Sequence, residues 1–555
     1  EYRVEITTKV PGATNLLAAL CRELRIAEYV NQMVPWDEKQ CKVSPGTLVV
    51  ALVINILVNH VPLYRLEAFY KNLDLPLLFD EDVSAEDLND DALARALDKL
   101  SLIDKPRLIH TVACRGIAVE DMQVDFVHAD TTSLSVQGVY DCYDSDDGEV
   151  KYLKITYGLS KDERPDLKQF KFGLCVNSDG FPILGDVHDG NKNDGVWNKE
   201  MLKQIEASFL NYESTVYVAD SALVTTENIQ QMLAKGIKFI SLLPGRFSLA
   251  TELREQAWAE DNWTYQGKLS AKKNAAEYWT QSIQTEFVGS ICRFVVVRSS
   301  NLDKRKEKKL ASQLKKEAAE LTKLVKKVNK EVFQCRPDAE ARLAEILSSH
   351  KMLHGLTGQV IEESKVKRPP GRPPKDAVFE TVTTYKLELE ICEPTQEVLD
   401  HWRQKEATFV LVTNESREKL DDRSVLSQYK NQSTAEMCFR FLKQPLFVRG
   451  IFLKTPRRVE ALGYVILLAV MVAAFLQRRI RKALQDQNAT ILAPGNRVLD
   501  RPTVTVILDM LQYISVVYLH HGTHTERYLP TNTSPEILKL LRLAGYDERI
   551  YLART

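Results

Sequence analysis

A chain of 555 residues is long enough for several domains and a large buried core, and its 44% hydrophobic and 27% charged content is that of an ordinary soluble globular protein. With 74 Lys and Arg against 75 Asp and Glu, the net charge of −1 excludes a nucleic-acid partner announced by bulk charge, so any basic surface must be local. Nine scattered cysteines, an odd count without a Cys-x-x-Cys pair, read as reduced thiols of a cytosolic protein.

The N-terminal stretch EYRVEITTKV has no basic region ahead of an apolar run, so no signal peptide is expected. Residues 1–118 read as a helical N-terminal region. In it, Ser44 caps a helix with Pro45 in its first turn, and Asn89 with two following acids starts another. From about Asp121 the texture changes to short β-rich runs, VDFVHAD, FKFGLCVNSDGFPILGDVH, TVYVAD and KFISLLP, with helices at 193–209 and 224–235. A hairpin followed by strand, helix, strand and helix makes residues 119–244 the first part of a mixed α/β core.

Residues 245–425 read as an insertion into that core, with strands near 276–298 and 378–392 around a charged segment. From Asn301 to Lys330 eleven Lys and Arg face four Asp and Glu, a net of +7, with Leu310, Leu314, Leu321, Leu324 and Val328 at helical spacing. This predicts a helix with one apolar and one basic face, which suits a solvated arm or a DNA-facing helix equally. In KVKRPPGRPPK, 365–375, four prolines and Gly371 dictate an extended, exposed chain. It resembles the AT-hook, which implies Arg372, flanked by Arg368, in the narrow minor groove of A·T-rich DNA.

The final helices of the core follow at 426–490, among them a periodic stretch at 429–444 and an apolar helix at 459–485, before a C-terminal helical tail, 491–555. The apolar run Ala461–Leu476, sixteen residues, is short of the roughly 20 that a bilayer crossing needs, so a buried core helix and no membrane are expected.

Two strands run alike into a carboxylate, HAD at Asp130 and VAD at Asp220. Either aspartate alone serves equally well as a turn cap beside Thr131, Thr132 or Ser221. A third acid adds weight. Tyr429, Gln432, Glu436, Arg440 and Lys443 are spaced by three, four, four and three, which on one continuous helix confines them to an arc of roughly 80°. Glu436 and Arg440 also have the spacing of an ion pair one turn apart.

The pattern Tyr429-x2-Gln432-x3-Glu436-x6-Lys443 is similar to the Tyr-x2-Arg-x3-Glu-x6-Lys signature of bacterial DDE transposases of the insertion-sequence-four superfamily, with Gln432 in place of the usual Arg. HADTTSL, YGLSKDERPDLKQFKFGL, GNKNDGVWNKEML and VADSALVTTENI resemble further blocks of that superfamily, most closely its sixteen-thirty-four branch. The resemblance implies an RNase H-like mixed-sheet core in which Asp130, Asp220 and Glu436 hold two Mg²⁺ or Mn²⁺ ions for cleavage and strand transfer. It also implies that Tyr429, Arg440 and Lys443 contact the scissile DNA strand, and that a homodimer assembles on double-stranded DNA, the element's terminal repeats and the target, in the bacterial cytoplasm.

Other candidates have plainer readings. His128 shares the strand face of Asp130 and reads as a core histidine. Asp189 and Asp194 suit a polar turn and a helix start, although both are rival metal ligands. His520, His521 and His524 lack a zinc-like partner and read as a loop. The rival functions are a related metal-dependent nuclease or resolvase without strand transfer, and a non-catalytic AT-hook DNA-binding protein.

Overall fold

Runs such as FVHADTTSLSV and FKFGLCVN are rich in β-branched and aromatic residues and are buried almost throughout, the pattern of central strands covered on both faces. The computed structural model of the chain describes residues 5–138, 140, 153–161, 164–207, 214–270, 274–301, 304–367, 380–442, 453, 455–521 and 524–553. It divides into two units, the first comprising Glu1–Pro244, Thr285–Arg293 and Val412–Thr555, the second Gly245–Gln284 and Phe294–Leu411.

In the first unit five core strands, Phe126–Val136, Lys168–Asn177, Pro182–Asp189, Val216–Ala219 and Lys238–Leu242, lie in the order third, second, first, fourth, fifth. The first three pair antiparallel, and the fourth pairs parallel with both the first and the fifth. Parallel pairs need crossovers, supplied by helices Asp194–Ala207 and Thr226–Ala234. This is an RNase H-like core. Two glycines are required by its geometry. Gly180, at φ +83°, turns the hairpin in which Asn177 Oδ1 accepts from the Phe181 amide at 2.9 Å. At Gly173 a side chain would collide with the Trp197 indole, whose Nε1 donates to Asp186 at 2.8 Å.

Helices Pro45–Val58, Asp90–Ser101 and Lys105–Glu120 share a hydrophobic core with Pro456–Asp486. That last helix lies close to the expected 459–485: by length and composition it is sufficient to cross a membrane, and its apolar side chains are buried inside the unit instead, as expected of a core helix. Its basic end is fixed by charge, Arg478 to Glu120 at 2.9 Å and Arg479 to Glu23 and Glu120 at 2.7 Å each.

Two expectations need correction. The segment 491–555 holds helices Val504–Leu511, Pro535–Leu543 and Arg549–Leu552, yet it also contains strands. Val516–His521 pairs with His524–Tyr528 and with Glu5–Lys9, because its β-branched, alternating residues find ladder partners at the other end of the chain. His520 accordingly meets Thr7 Oγ1 at 2.9 Å and Thr525 Oγ1 at 3.1 Å. The stretch 429–444 is not one helix. Asp422–Lys430 ends before Ser433–Leu442 begins, and the bonds from Gln432 N to Tyr429 O and from Thr434 N to Asn431 O are of the tighter i to i+3 kind. Asn431, Ser433 and Thr434 are residues whose side chains compete for backbone groups and disfavour an uninterrupted helix.

The second unit contains the expected basic helix, Lys304–Val328, and a hairpin of strands Gly355–Lys367 and Glu380–Cys392 in register from Gly355↔Cys392 to Lys367↔Glu380. Val328, Ala339, Ile346, Leu387 and Leu389 form its small core. The unit is narrower than the expected insertion 245–425, since Thr285–Arg293 and the chain from Val412 onward belong to the first unit.

Within the first unit, Arg293 fixes the chain that leads into the last core helices. Its side chain, 3% exposed, pairs with the equally buried Asp422 at 2.8 Å and donates to the Glu415 and Leu420 carbonyls at 3.1 and 2.5 Å. Removing one member of a buried pair strands the other charge. Arg293→Met is therefore expected to destabilise the protein by about 3–5 kcal/mol, with much of the loss recovered when Asp422→Leu is added. Urea unfolding of parent, single and double variants checks this. A loss below about 1 kcal/mol for the single variant would show that the pair is not structural.

Candidate active site

The parallel pairing of first and fourth strands runs Phe126↔Val216 through Ala129↔Ala219, so Asp130 and Asp220 are the next residues of the two chains, level with one another. The first strand does not end at Asp130 as its sequence suggests. It continues to Val136 against the second strand, and what stops is the fourth strand, which turns away at Ser221–Leu223. Asp220 itself has extended backbone and caps that turn, Oδ1 accepting from the Ala222 amide at 3.0 Å. Asp130 Oδ1 likewise accepts from the Thr131 amide at 2.7 Å. Each carboxylate commits one oxygen to its own backbone, and for neither does a hydrogen bond reach Oδ2 among the described residues.

Helix Ser433–Leu442, which carries Glu436, packs on the first and second strands, and Asp422–Lys430, which carries Tyr429, packs on the fourth and fifth. Burial pushes the Asp130 carboxyl up to about 6, with the charges of Asp220 and Glu436 acting in the same direction. Asp220 is also raised, by burial and by Asp194. Burial together with Asp220 and Glu436 pushes the Tyr429 phenol up to about 12, so it is a neutral donor near neutral pH. Gln432, between the two helices, donates from Nε2 to the Ala129 carbonyl at 3.3 Å, one residue from Asp130. The structure thus brings Asp130, Asp220, Glu436, Tyr429 and Gln432 together. Arg440 lies on the same short helix, exposed, and the expected ion pair with Glu436 is not formed. Lys443, Arg368 and Arg372 lie outside the described residues.

A lysine passed over in the sequence enters the same cluster. Lys161 Nζ is 3.6 Å from Asp130 Oδ1 and 3.2 Å from Asp194 Oδ2, and donates to Thr131 O at 2.7 Å and Thr131 Oγ1 at 2.9 Å. Its backbone amide is held by Ser133 Oγ at 2.7 Å. Burial works against the Lys161 charge, but Asp130, Asp194 and Asp220 overcome it and raise its pKa. Asp194, at the first residue of its helix, is more than a turn residue: Lys171 holds its other oxygen at 3.0 Å, and the two lysines keep its pKa low despite burial. Asp189 keeps a structural role, accepting from the Lys154 amide at 2.8 Å. His128 is fully buried and pushed down to about 4 by burial, which makes it a neutral core residue. The block YGLSKDERPDLKQFKFGL contains Lys161 and resembles the superfamily, but its LSKDERPD run is unperiodic, and periodicity cannot place such a loop beside Asp130.

The cluster holds four carboxylates against two ammonium groups, and carboxylate oxygens are a donor set suited to Mg²⁺ or Mn²⁺. Among the described residues, no three His, Cys, Asp or Glu side chains already stand as a metal-binding group. A family model described as a transposase DDE domain matches residues 154–472, and one described as a domain of unknown function (DUF4277) matches residues 7–114. The first match includes Lys161, Asp194, Asp220, Tyr429 and Glu436 and begins beyond Asp130. No curated protein matches the chain.

The raised Asp130 pKa has a consequence that can be measured without activity. Because the folded state binds the proton more tightly than the unfolded chain, Asp130 favours folding below its unfolded pKa of about 4, and that advantage is lost as pH rises through about 6. In chelator-treated protein Asp130→Asn should therefore be more stable than the parent at pH 8, by about 1–2 kcal/mol, with the difference shrinking toward pH 5. Urea midpoints at the two pH values decide it. A variant less stable than the parent at pH 8 would contradict the electrostatic account.

Proposed function

The chain belongs to the transposase DDE domain family, and from that membership we propose that it is a DNA transposase that cleaves at its element's terminal repeats and transfers 3′-hydroxyl ends into target DNA. We place it in the insertion-sequence-four superfamily, sixteen-thirty-four branch, acting as a homodimer on DNA in the bacterial cytoplasm. The observation that carries the reading is the level placement of Asp130 and Asp220 on adjacent parallel strands, with the charge of Glu436 felt at the same Asp130 carboxyl.

In this reading Asp130, Asp220 and Glu436 are the metal ligands, each presenting an oxygen toward a common space. Two Mg²⁺ or Mn²⁺ ions held there would supply Lewis acidity for an in-line displacement at phosphorus. The chain's own groups arrange the substrate. Lys161, fixed by Thr131 and Ser133, presents a positive charge beside Asp130 that offsets the carboxylates before DNA arrives and attracts a phosphate afterwards. Tyr429 remains protonated and donates a hydrogen bond to the strand. Arg440 and Lys443 extend the cationic path along the scissile strand. The N-terminal region 1–118 serves DNA binding or dimerisation, and the Arg368 and Arg372 segment lies in the minor groove as an AT-hook does.

Neutralising a ligand removes an ion's anchor and also lowers repulsion toward phosphates. Asp130→Asn, Asp220→Asn and Glu436→Gln should each abolish Mg²⁺-dependent cleavage and joining of terminal-repeat DNA while binding that DNA as tightly as the parent or tighter. Asp189→Asn should keep activity. The assay is cleavage and strand transfer on labelled end-containing duplexes, with binding measured at one salt concentration. Robust cleavage by folded Glu436→Gln would require another third ligand.

A further inference from the structure

Helix Lys304–Val328 is amphipathic in an unusual way. Leu310, Leu321 and Val328 are buried along one side. On the opposite side Lys308, Lys315, Lys316, Lys323, Lys326 and Lys327 are all exposed, and at about 100° per residue they fall within an arc of roughly 120°. Along the middle of that arc the remaining residues are Ser312 and Ala319, both small and exposed.

Two of the three carboxylates of the helix are kept off this face. Glu307 accepts from Arg403 at 3.1 Å, and Glu317 accepts from the Leu353 amide and from Gln313, each at 2.9 Å. Glu320 borders the stripe at its edge. None of the six lysines forms an ion pair among the described residues, whereas Lys306 and Lys309 near the start of the helix meet Glu406. A helix selected for solvation alone intersperses opposite charges one turn apart, while Lys323 with Lys326 and Lys327 places like charges there, a destabilising arrangement in the free protein. The cost is offset when a polyanion lies on the face. From Lys308 to Lys327 the stripe covers about 28 Å at 1.5 Å per residue, the length of roughly eight base pairs. Between Lys308 and Lys327 the stripe offers no Arg, Asn or Gln for bidentate contact with base edges, so that stretch can neutralise phosphates without reading sequence.

We propose that the lysine stripe of helix Lys304–Val328 binds the phosphate backbone of duplex DNA without sequence preference, and so holds target DNA rather than the terminal repeats. The proposal rests on the reading of the chain as a transposase, which its own experiment tests separately.

The test uses the full chain with Lys315→Gln, Lys316→Gln, Lys323→Gln and Lys326→Gln combined, beside a second variant with the same four positions changed to Arg. Binding to an unrelated duplex is followed as salt is raised from about 50 to 200 mM, and the slope of log affinity against log salt should become shallower by about 3 to 4 in the Gln variant and stay parental in the Arg variant. Strand transfer into unrelated target DNA should drop about tenfold or more, while cleavage at the terminal repeat stays near the parental rate. An unchanged slope in the Gln variant, with the parent binding and cleaving normally, overturns the proposal and leaves the transposase reading intact. A parent that binds no duplex overturns both. Loss of binding to poly-glutamate with an unchanged duplex slope would assign the stripe to an acidic protein instead, and overturns it as well. Unfolding of the Gln variant is detected by its thermal midpoint, and the Arg variant together with Lys308→Gln and Lys327→Gln, made singly, then supplies the slope: no change in either single variant overturns the proposal.

Discussion

Carboxylates gathered at the end of a buried parallel pair repel one another and lose water, and the arrangement around Asp130 follows from that constraint. Each pKa unit of displacement corresponds to about 1.4 kcal/mol between the two protonation states, and Asp130 is pushed to about 6. Without a nearby cation the carboxyl would be pushed higher still. Lys161 counters this, and its own position is over-determined: by the Thr131 carbonyl and hydroxyl, by Ser133 through its backbone, and by Asp194, which Lys171 secures from the other side. Two lysines against four carboxylates still leave a surplus of negative charge. The cluster is thus stable enough to fold and unsatisfied enough to draw cations.

The third carboxylate poses a different problem, because Glu436 lies far along the chain from Asp220, with the second folded unit between them. The entropic cost of closing a loop grows only slowly with its length, so a long insertion is tolerated provided its ends are held. The returning end is held by polar groups that tolerate little displacement. Asn414 accepts from the Phe239 amide and donates to the Ile237 carbonyl at 3.0 and 2.8 Å, tying the chain to the fifth strand, and Arg293 closes on Asp422 a few residues later. Asp421 then caps the helix through the Ser424 amide at 2.7 Å. The direction of the chain toward Glu436 is set before the helix break redirects it.

What could be read in the sequence was local. Ser44 and Asn89 cap their helices through the Thr47 and Ala92 amides, as expected of a hydroxyl or amide side chain ahead of an apolar run. The β-rich runs ending at Asp130 and Asp220 have adjacent places in the sheet, and the basic helix has the amphipathic form that its leucine spacing predicts. What could not be read was non-local or marginal. The pairing of Glu5–Lys9 with Val516–His521 joins the two ends of the chain, and no periodicity announces it. Lys161 reaches its carboxylates from a loop. The break at Asn431 and Gln432 turns on a few competing hydrogen bonds within a stretch whose helical spacing is otherwise intact. The long apolar helix was legible too: expected at 459–485, it runs Pro456–Asp486, because flanking Arg and Gln residues continue a helix as readily as apolar ones.

Gln432 shows how these levels meet. The signature it resembles has an arginine at this position, and a guanidinium beside Asp130 would add a second fixed cation to a site where Lys161 already stands 3.6 Å from the carboxylate. The neutral amide adds no charge and instead donates to the Ala129 carbonyl at 3.3 Å, joining the break between the two helices to the strand that carries Asp130. The break allows this, since a continuous helix would fix residue 432 by its rotation on the axis alone. Positive charge near this carboxylate cluster includes Lys161, partly exposed and already paired with Asp130 and Asp194, and the exposed Arg440, which pairs with no carboxylate among the described residues. Of the two, only Arg440 can meet a phosphate without giving up an existing partner.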